Sequence, residues 1–272
     1  MLNQSGLRKI ALLSILLALA MGISSWGGLF LTGTYSKETP AWAAQGMGQD
    51  AVNLIIVVPL LLASAYFAVK GRKIFLLMLA GIFIYSIYSY ILYGFCVHFN
   101  RLFFAYCAAL GFSFYGLALV AGELPVDKVK SWFDTSVPTM LPSVYCMALT
   151  GVFYLLWLSE DLPAVWSGTA PKSLSVAGLF TNPVHVLDLS IVLPAMFIAS
   201  IQLWKKKAWG YLFFPAMMVF SIVMGLAIVG MMLAMNRLGV GGNPGPAGFF
   251  GLVILLSVGV LGNFLKTLKH PG

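Results

Sequence analysis

Eight apolar runs, at 9–31, 51–69, 74–97, 102–122, 138–158, 184–203, 209–234 and 247–265, leave this chain very few ways to fold. Each is close to the roughly 20 residues that carry a helix across a hydrocarbon core about 30 Å thick. Backbone amides in lipid must be satisfied within the segment, and the runs are too continuous for the alternating strands of a membrane barrel. The expected fold is therefore all-α, a polytopic bundle of eight transmembrane helices. With 60% apolar and 9% charged residues, against about 25% charged in soluble domains, the composition agrees.

Lys and Arg set the expected orientation. Assigned to alternating sides of eight spans, Arg8, Lys9, Lys70, Arg72, Lys73, Lys128, Lys130, Lys205, Lys206, Lys207, Lys266 and Lys269 share one side, and Lys37, Arg101, Lys172 and Arg237 the other. Twelve against four places both termini in the cytoplasm, and the expected location is the inner (cytoplasmic) membrane. Arg8-Lys9 and the apolar run after them resemble a secretory signal. The run continues through Trp26 to Leu31, longer than a signal core, so the first helix is expected to be retained. The net charge of +8 sits in short turns at helix ends, where topology accounts for it, and no nucleic-acid partner is expected. Cys96, Cys107 and Cys146 lack CxxC spacing and read as packing residues.

An internal match suggests duplication. At an offset of 135 residues, Pro59 falls on Pro194, Asp50 on His185, Asn53 on Asp188, and Lys70-Gly71-Arg72 on Lys205-Lys206-Lys207. Identities are few in this stretch, Leu54, Ile56, Val57, Pro59 and Lys70, but the rare features coincide. Four spans per half would give two parallel four-helix repeats, 1–136 and 137–272, about an axis normal to the membrane.

Asp188 stands in the apolar run Val184 to Leu203, where an unpaired charge costs several kcal/mol. His185 lies one helical turn before it, as Asp50 lies one turn before Asn53. Two such faces across a pseudo-two-fold axis would gather Asp188, His185, Asp50 and Asn53 below the outer surface. Capping is the alternative for Asp50, and Asn182-Pro183 reads as an N-cap followed by a proline at the first helical position. Pro59 and Pro194 each remove an amide and would free the carbonyls of Ile55 and Ser190. The third run adds Tyr85, Tyr88, Tyr90 and Tyr93 with Ser86 and Ser89, too many hydroxyls for a lipid-facing helix; they suit either an amphipathic or aromatic ligand or bonding between helices.

Between the halves, Glu123-Leu124-Pro125 ends the fourth run, and 126–134 reads as an interfacial turn of helix with Trp132 at headgroup level. Two long loops, 159–181 and the glycine-rich 236–248, are expected on the outer side. His98 and His185 are the histidines placed to ligate haem iron or a transition metal, yet no HExxH, paired histidines or di-metal repeat accompanies them. No metal and no cofactor is expected.

The stretch Asn182-Pro183-Val184-His185-Val186-Leu187-Asp188-Leu189-Ser190-Ile191-Val192-Leu193-Pro194-Ala195, followed by Lys205-Lys206-Lys207-Ala208-Trp209-Gly210-Tyr211, resembles an uncharacterised family of prokaryotic multipass membrane proteins. The resemblance implies a prokaryotic membrane location and no particular activity. The functional expectation is a protein that binds or transports a small molecule or ion at a polar site in the outer leaflet, between the repeats. Asp188 would supply the charge and His185, whose residue type titrates near neutral pH, would tune it. The alternatives are a membrane-embedded enzyme acting on a lipid or isoprenoid, and a non-catalytic assembly or sensory subunit. The partners are the lipid bilayer and the small-molecule or ion ligand, with a homo-oligomer left open.

Overall fold

The structure is a computed structural model that describes residues 3–240 and 245–269. Among the described residues, eight helices are long and apolar enough to cross a membrane, Gln4–Phe30, Pro40–Val69, Lys73–Cys96, Phe103–Glu123, Met140–Ser167, Pro183–Trp204, Ala208–Arg237 and Pro246–Leu265. They are consistent with an integral membrane protein and are called spans one to eight below. "Inner" denotes the end of the bundle that bears the basic turns and "outer" the opposite end.

Two spans differ from expectation in length. Span two starts at Pro40, capped by Thr39, whose Oγ1 accepts from the Trp42 amide at 3.3 Å. Asp50 is therefore ten residues inside a helix and is no N-cap. Span five continues through Pro163 to Ser167 and stops at Gly168, whose φ of 66° fits a left-handed C-cap. Glu160 and Asp161, expected in a loop, are thus helical; the remainder of that loop holds a short helix, Lys172–Ala177. Of the glycine-rich loop 236–248, residues 241–244 lie outside the described residues. As expected, Asn182 Oδ1 caps span six by accepting from the His185 amide at 3.2 Å.

Spans two and six share an uncommon backbone. Each contains a five-residue π turn, Asn53–Val57 and Asp188–Val192, and the two start at residues paired in the sequence match. The carbonyls of Asn53 and Asp188 accept from the amides of Val58 and Leu193, five residues on, directly before Pro59 and Pro194. The helix meets each proline with a π turn, a widening that sets the direction of the side chains beyond it.

The basic turns also agree bond for bond. Gly71 N donates to Ala68 O and Arg72 N to Phe67 O, while Lys206 N donates to Leu203 O and Lys207 N to Gln202 O. Gly71 takes a φ of 79° and Lys206, at the equivalent place, a φ of 52°. Lysine holds there a left-handed conformation that glycine adopts at no steric cost.

Spans three and seven form the most enclosed part of the bundle and cross at equivalent residues. A Cβ on Gly81 would lie 2.5 Å from the carbonyl oxygen of Ala216. Small residues permit such backbone contact, which matters in lipid, where apolar surface alone does not drive helices together. The outer end of span two is pressed onto span seven in the same way: a Cβ on Gly48 would lie 2.4 Å from Gly230 O.

The halves diverge in closure. Span one packs along span four and closes the first half, whereas spans five and eight touch sparsely. The Gly48 and Gly230 contact has no counterpart, because Pro183 and Phe95 stand at the equivalent positions and the start of span six makes little contact with span three. The segment between the halves forms a short 3₁₀ helix, Val126–Trp132, tied to the C-terminal region by Asp134 N to Thr267 O and Lys269 N to Trp132 O. Trp132 is buried in the protein instead of lying among headgroups, with Lys73 Nζ 5.3 Å from its ring centre.

Candidate functional site

The four polar residues expected to form one cluster divide into two separate places. Asp50 and Asn53 lie in a closed polar network inside the first half. Tyr35 and Tyr93 donate their hydroxyls to the Asp50 carboxylate at 2.5 and 2.9 Å. Tyr85 donates to Asn53 Oδ1 at 2.7 Å, and Gln49 Nε2 donates to Ser89 Oγ at 2.8 Å. Gly28 makes room for the carboxylate, since a Cβ there would lie 1.8 Å from Asp50 Oδ2. Tyr90 shares a hydrogen bond of 2.7 Å with Ser24, and its ring adjoins those of Tyr93 and Tyr106. Tyr35, in the turn between spans one and two, has its phenol pushed well above the ordinary range, first by burial and then by the neighbouring Asp50 carboxylate. It stays a neutral donor.

Asp188 and His185 belong to the second half and are not paired with each other. Trp157 Nε1 donates to Asp188 Oδ2 at 2.9 Å, and Tyr88 lies close by. His185 Nδ1 is 2.9 Å from Asp161 Oδ1, and its ring centre lies 4.3 Å from that of Trp157. The expected partnership of Asp188 with His185 or with the polar residues of span two is replaced by bonds from span five. The reason is geometric. Span five runs on past the point where its hydropathy falls, carrying Trp157 and Asp161, one turn apart, to the outer end of span six.

Asp188 and His185 face a cavity of about 420 Å³. Its wall combines aromatic rings (Trp42, Phe153, Trp157, Phe220), methionines of span seven (Met224, Met231, Met232, Met235) and a few polar groups, among them Gln49 and Tyr88. The short helix Lys172–Ala177 contributes Ser173, Leu174 and Ala177 at the outer rim. The cavity thus sits between the first half, represented by spans two and three, and all four spans of the second. Gln49 borders it and also bonds into the closed network.

Of the sequence candidates, Asp188, His185 and Tyr88 therefore line the cavity; Asp50, Asn53, Tyr85, Tyr90 and Tyr93 do not. No site role is read from the sequence for Trp157, Gln49 or Tyr35, and Asp161 reads there as part of an outer loop. Trp157 and Asp161 carry the one available signal, an i, i+4 pair at the outer end of an apolar run. His98 is far from these groups in bonding terms, its Nδ1 3.1 Å from Glu38 Oε2. Among the described residues, no group of three or more His, Cys, Asp or Glu side chains is placed to hold a metal ion.

Comparison with known proteins gives no match to a family model, a curated protein or a solved structure, so the resemblance carried by Asn182 to Tyr211 gains no support there.

Proposed function

We propose that this protein binds a small organic cation with an apolar body in the cavity between its halves, and acts as a carrier for it. The observation that carries this reading is Asp188, a carboxylate on the wall of an aromatic and methionine-lined cavity. Among the described residues, no Lys or Arg nitrogen lies within 4.0 Å of it. An ionised carboxylate so placed costs several kcal/mol unless something neutralises it. A bound cation does so.

The rest of the wall suits the same ligand. Aromatic faces attract a desolvated cation by about 0.5–2 kcal/mol each, and methionine adapts to irregular apolar shapes. The volume of about 420 Å³ lies within the roughly 300–1,000 Å³ of sites for drug-sized ligands. The matched π turns, prolines and basic turns support a reading of the halves as two parallel four-helix repeats. One has closed over its polar residues with its own tyrosines, and the other has stayed open at the corresponding place. The charge asymmetry supports cytoplasmic termini and a cavity in the outer leaflet.

Equilibrium dialysis of radiolabelled tetraphenylphosphonium against purified protein in lipid nanodiscs tests the reading. The wild type is expected to bind saturably, and Asp188→Asn to weaken binding at least tenfold with unchanged elution and helical content. No saturable binding, or equal affinity in well-folded Asp188→Asn, overturns it.

A further inference from the structure

We infer that Asp50 holds an exchangeable proton, which it trades with the cavity through the hydroxyls of Tyr93 and Tyr35. Asp50 is 1% exposed, and no Lys or Arg nitrogen among the described residues lies within 4.0 Å. Among the described residues the ionisable groups around it are phenols: Tyr35 from the turn after span one, Tyr85, Tyr90 and Tyr93 from span three, and Tyr106 from span four. Span one adds Ser24, Ser25 and Gly28 here. Ser25 Oγ is buried beside the carboxylate. Two hydroxyl donors steady a carboxylate but do not neutralise it, whereas a proton does.

Behind the two phenols lies a second chamber of about 50 Å³, lined by Tyr35, Tyr93, Gly46 and Gln49. It shares Trp42, Gln45, Gln49 and Leu92 with the wall of the main cavity. A water needs about 10–15 Å³ of such space, so the chamber has room for water beside the phenols. In the uptake step a hydronium ion in the chamber gives a proton to Tyr93 Oη and is left as water, while the phenol's own proton passes to Asp50 Oδ1. The tyrosine is regenerated neutral and one proton has moved. Release is the reverse, and Tyr35 offers the same step at Oδ2.

The coupling that follows rests on the cation reading of the main cavity. A cation against Asp188 raises the positive potential across this shared wall and favours loss of the proton from Asp50. Cation and proton would then be exchanged one for the other. Infrared spectroscopy of the protein in nanodiscs tests the proton site without any ligand. The protonated-carboxyl band that appears on acidification should contain a component that persists in Asp188→Asn and is lost in Asp50→Asn. In the double variant Tyr35→Phe, Tyr93→Phe it should appear at least tenfold more slowly after a pH jump. An unchanged band in Asp50→Asn, or an equally fast rise in the double variant, overturns the proposal. For the coupling, tetraphenylphosphonium is added in weak buffer with a pH dye. The wild type should release protons on binding, and Asp50→Asn should bind without release. Binding without release in the wild type overturns the coupling. Failure to bind at all overturns the cation reading instead, and the infrared titration still decides the proton site.

Discussion

Trp157 and Asp161 decide what Asp188 and His185 can do. The indole N–H steadies Asp188 without cancelling its charge, and Asp161 occupies the imidazole that would otherwise lie nearest to Asp188. Trp157→Phe keeps an aromatic face but removes the donor, a loss of about 1–3 kcal/mol for a hydrogen bond to a charged group. Dialysis should show tetraphenylphosphonium affinity changed severalfold, with the fold intact by circular dichroism. Tyr85→Phe is the converse case, because it leaves Asn53 Oδ1 unsatisfied in the closed network. It should cost about 1–3 kcal/mol of stability, seen as a lower midpoint of thermal unfolding in detergent, and leave tetraphenylphosphonium binding unaltered. Asp188 was legible in the sequence because an acid inside an apolar helix needs a reason. Its partners were not, since nothing in a hydropathy profile shows that span five continues past Glu160 and Asp161. The tyrosines were legible as a polar group, but their neighbours Tyr35 and Gln49 lie outside the run that drew attention to them.

At the level of the helices, the prolines were legible and their consequence was not. A missing amide alone suggests a kink with free carbonyls, but both helices widen into π turns at residues paired by the offset of 135. Glycine decides which helices close on each other. Gly48→Ala would drive a methyl into the backbone of span seven, 2.4 Å from Gly230 O, whereas Gly94→Ala meets nothing within 4 Å. Overpacking of this kind costs about 1–3 kcal/mol. Thermal unfolding should show Gly48→Ala clearly less stable than wild type and Gly94→Ala within error of it; equal behaviour of the two would remove the close contact of spans two and seven. The sequence could not reveal this contact, because nothing in it says which glycines face a helix and which face lipid.

Across the whole molecule, length and hydropathy were enough for the number of spans, because a bilayer imposes nearly one helix length. They could not give the asymmetry between the halves, which comes from the packing of span one on span four and from its sparse counterpart between spans five and eight. The expected topology puts Ser167 outside and Lys206 inside. In intact cells, with the native cysteines replaced, a membrane-impermeant thiol reagent should label a cysteine at Ser167 and leave one at Lys206 unmodified; the reverse would invert the bundle and place the cavity in the other leaflet. The central claim, that Asp188 and the surrounding rings receive an organic cation, is tested most directly by an X-ray structure of the protein with tetraphenylarsonium, recorded at the arsenic absorption edge. One anomalous peak is expected in the cavity between Asp188, Trp157 and the methionines of span seven, lost in Asp188→Asn. A cavity without arsenic, or the same peak retained in Asp188→Asn, would contradict it.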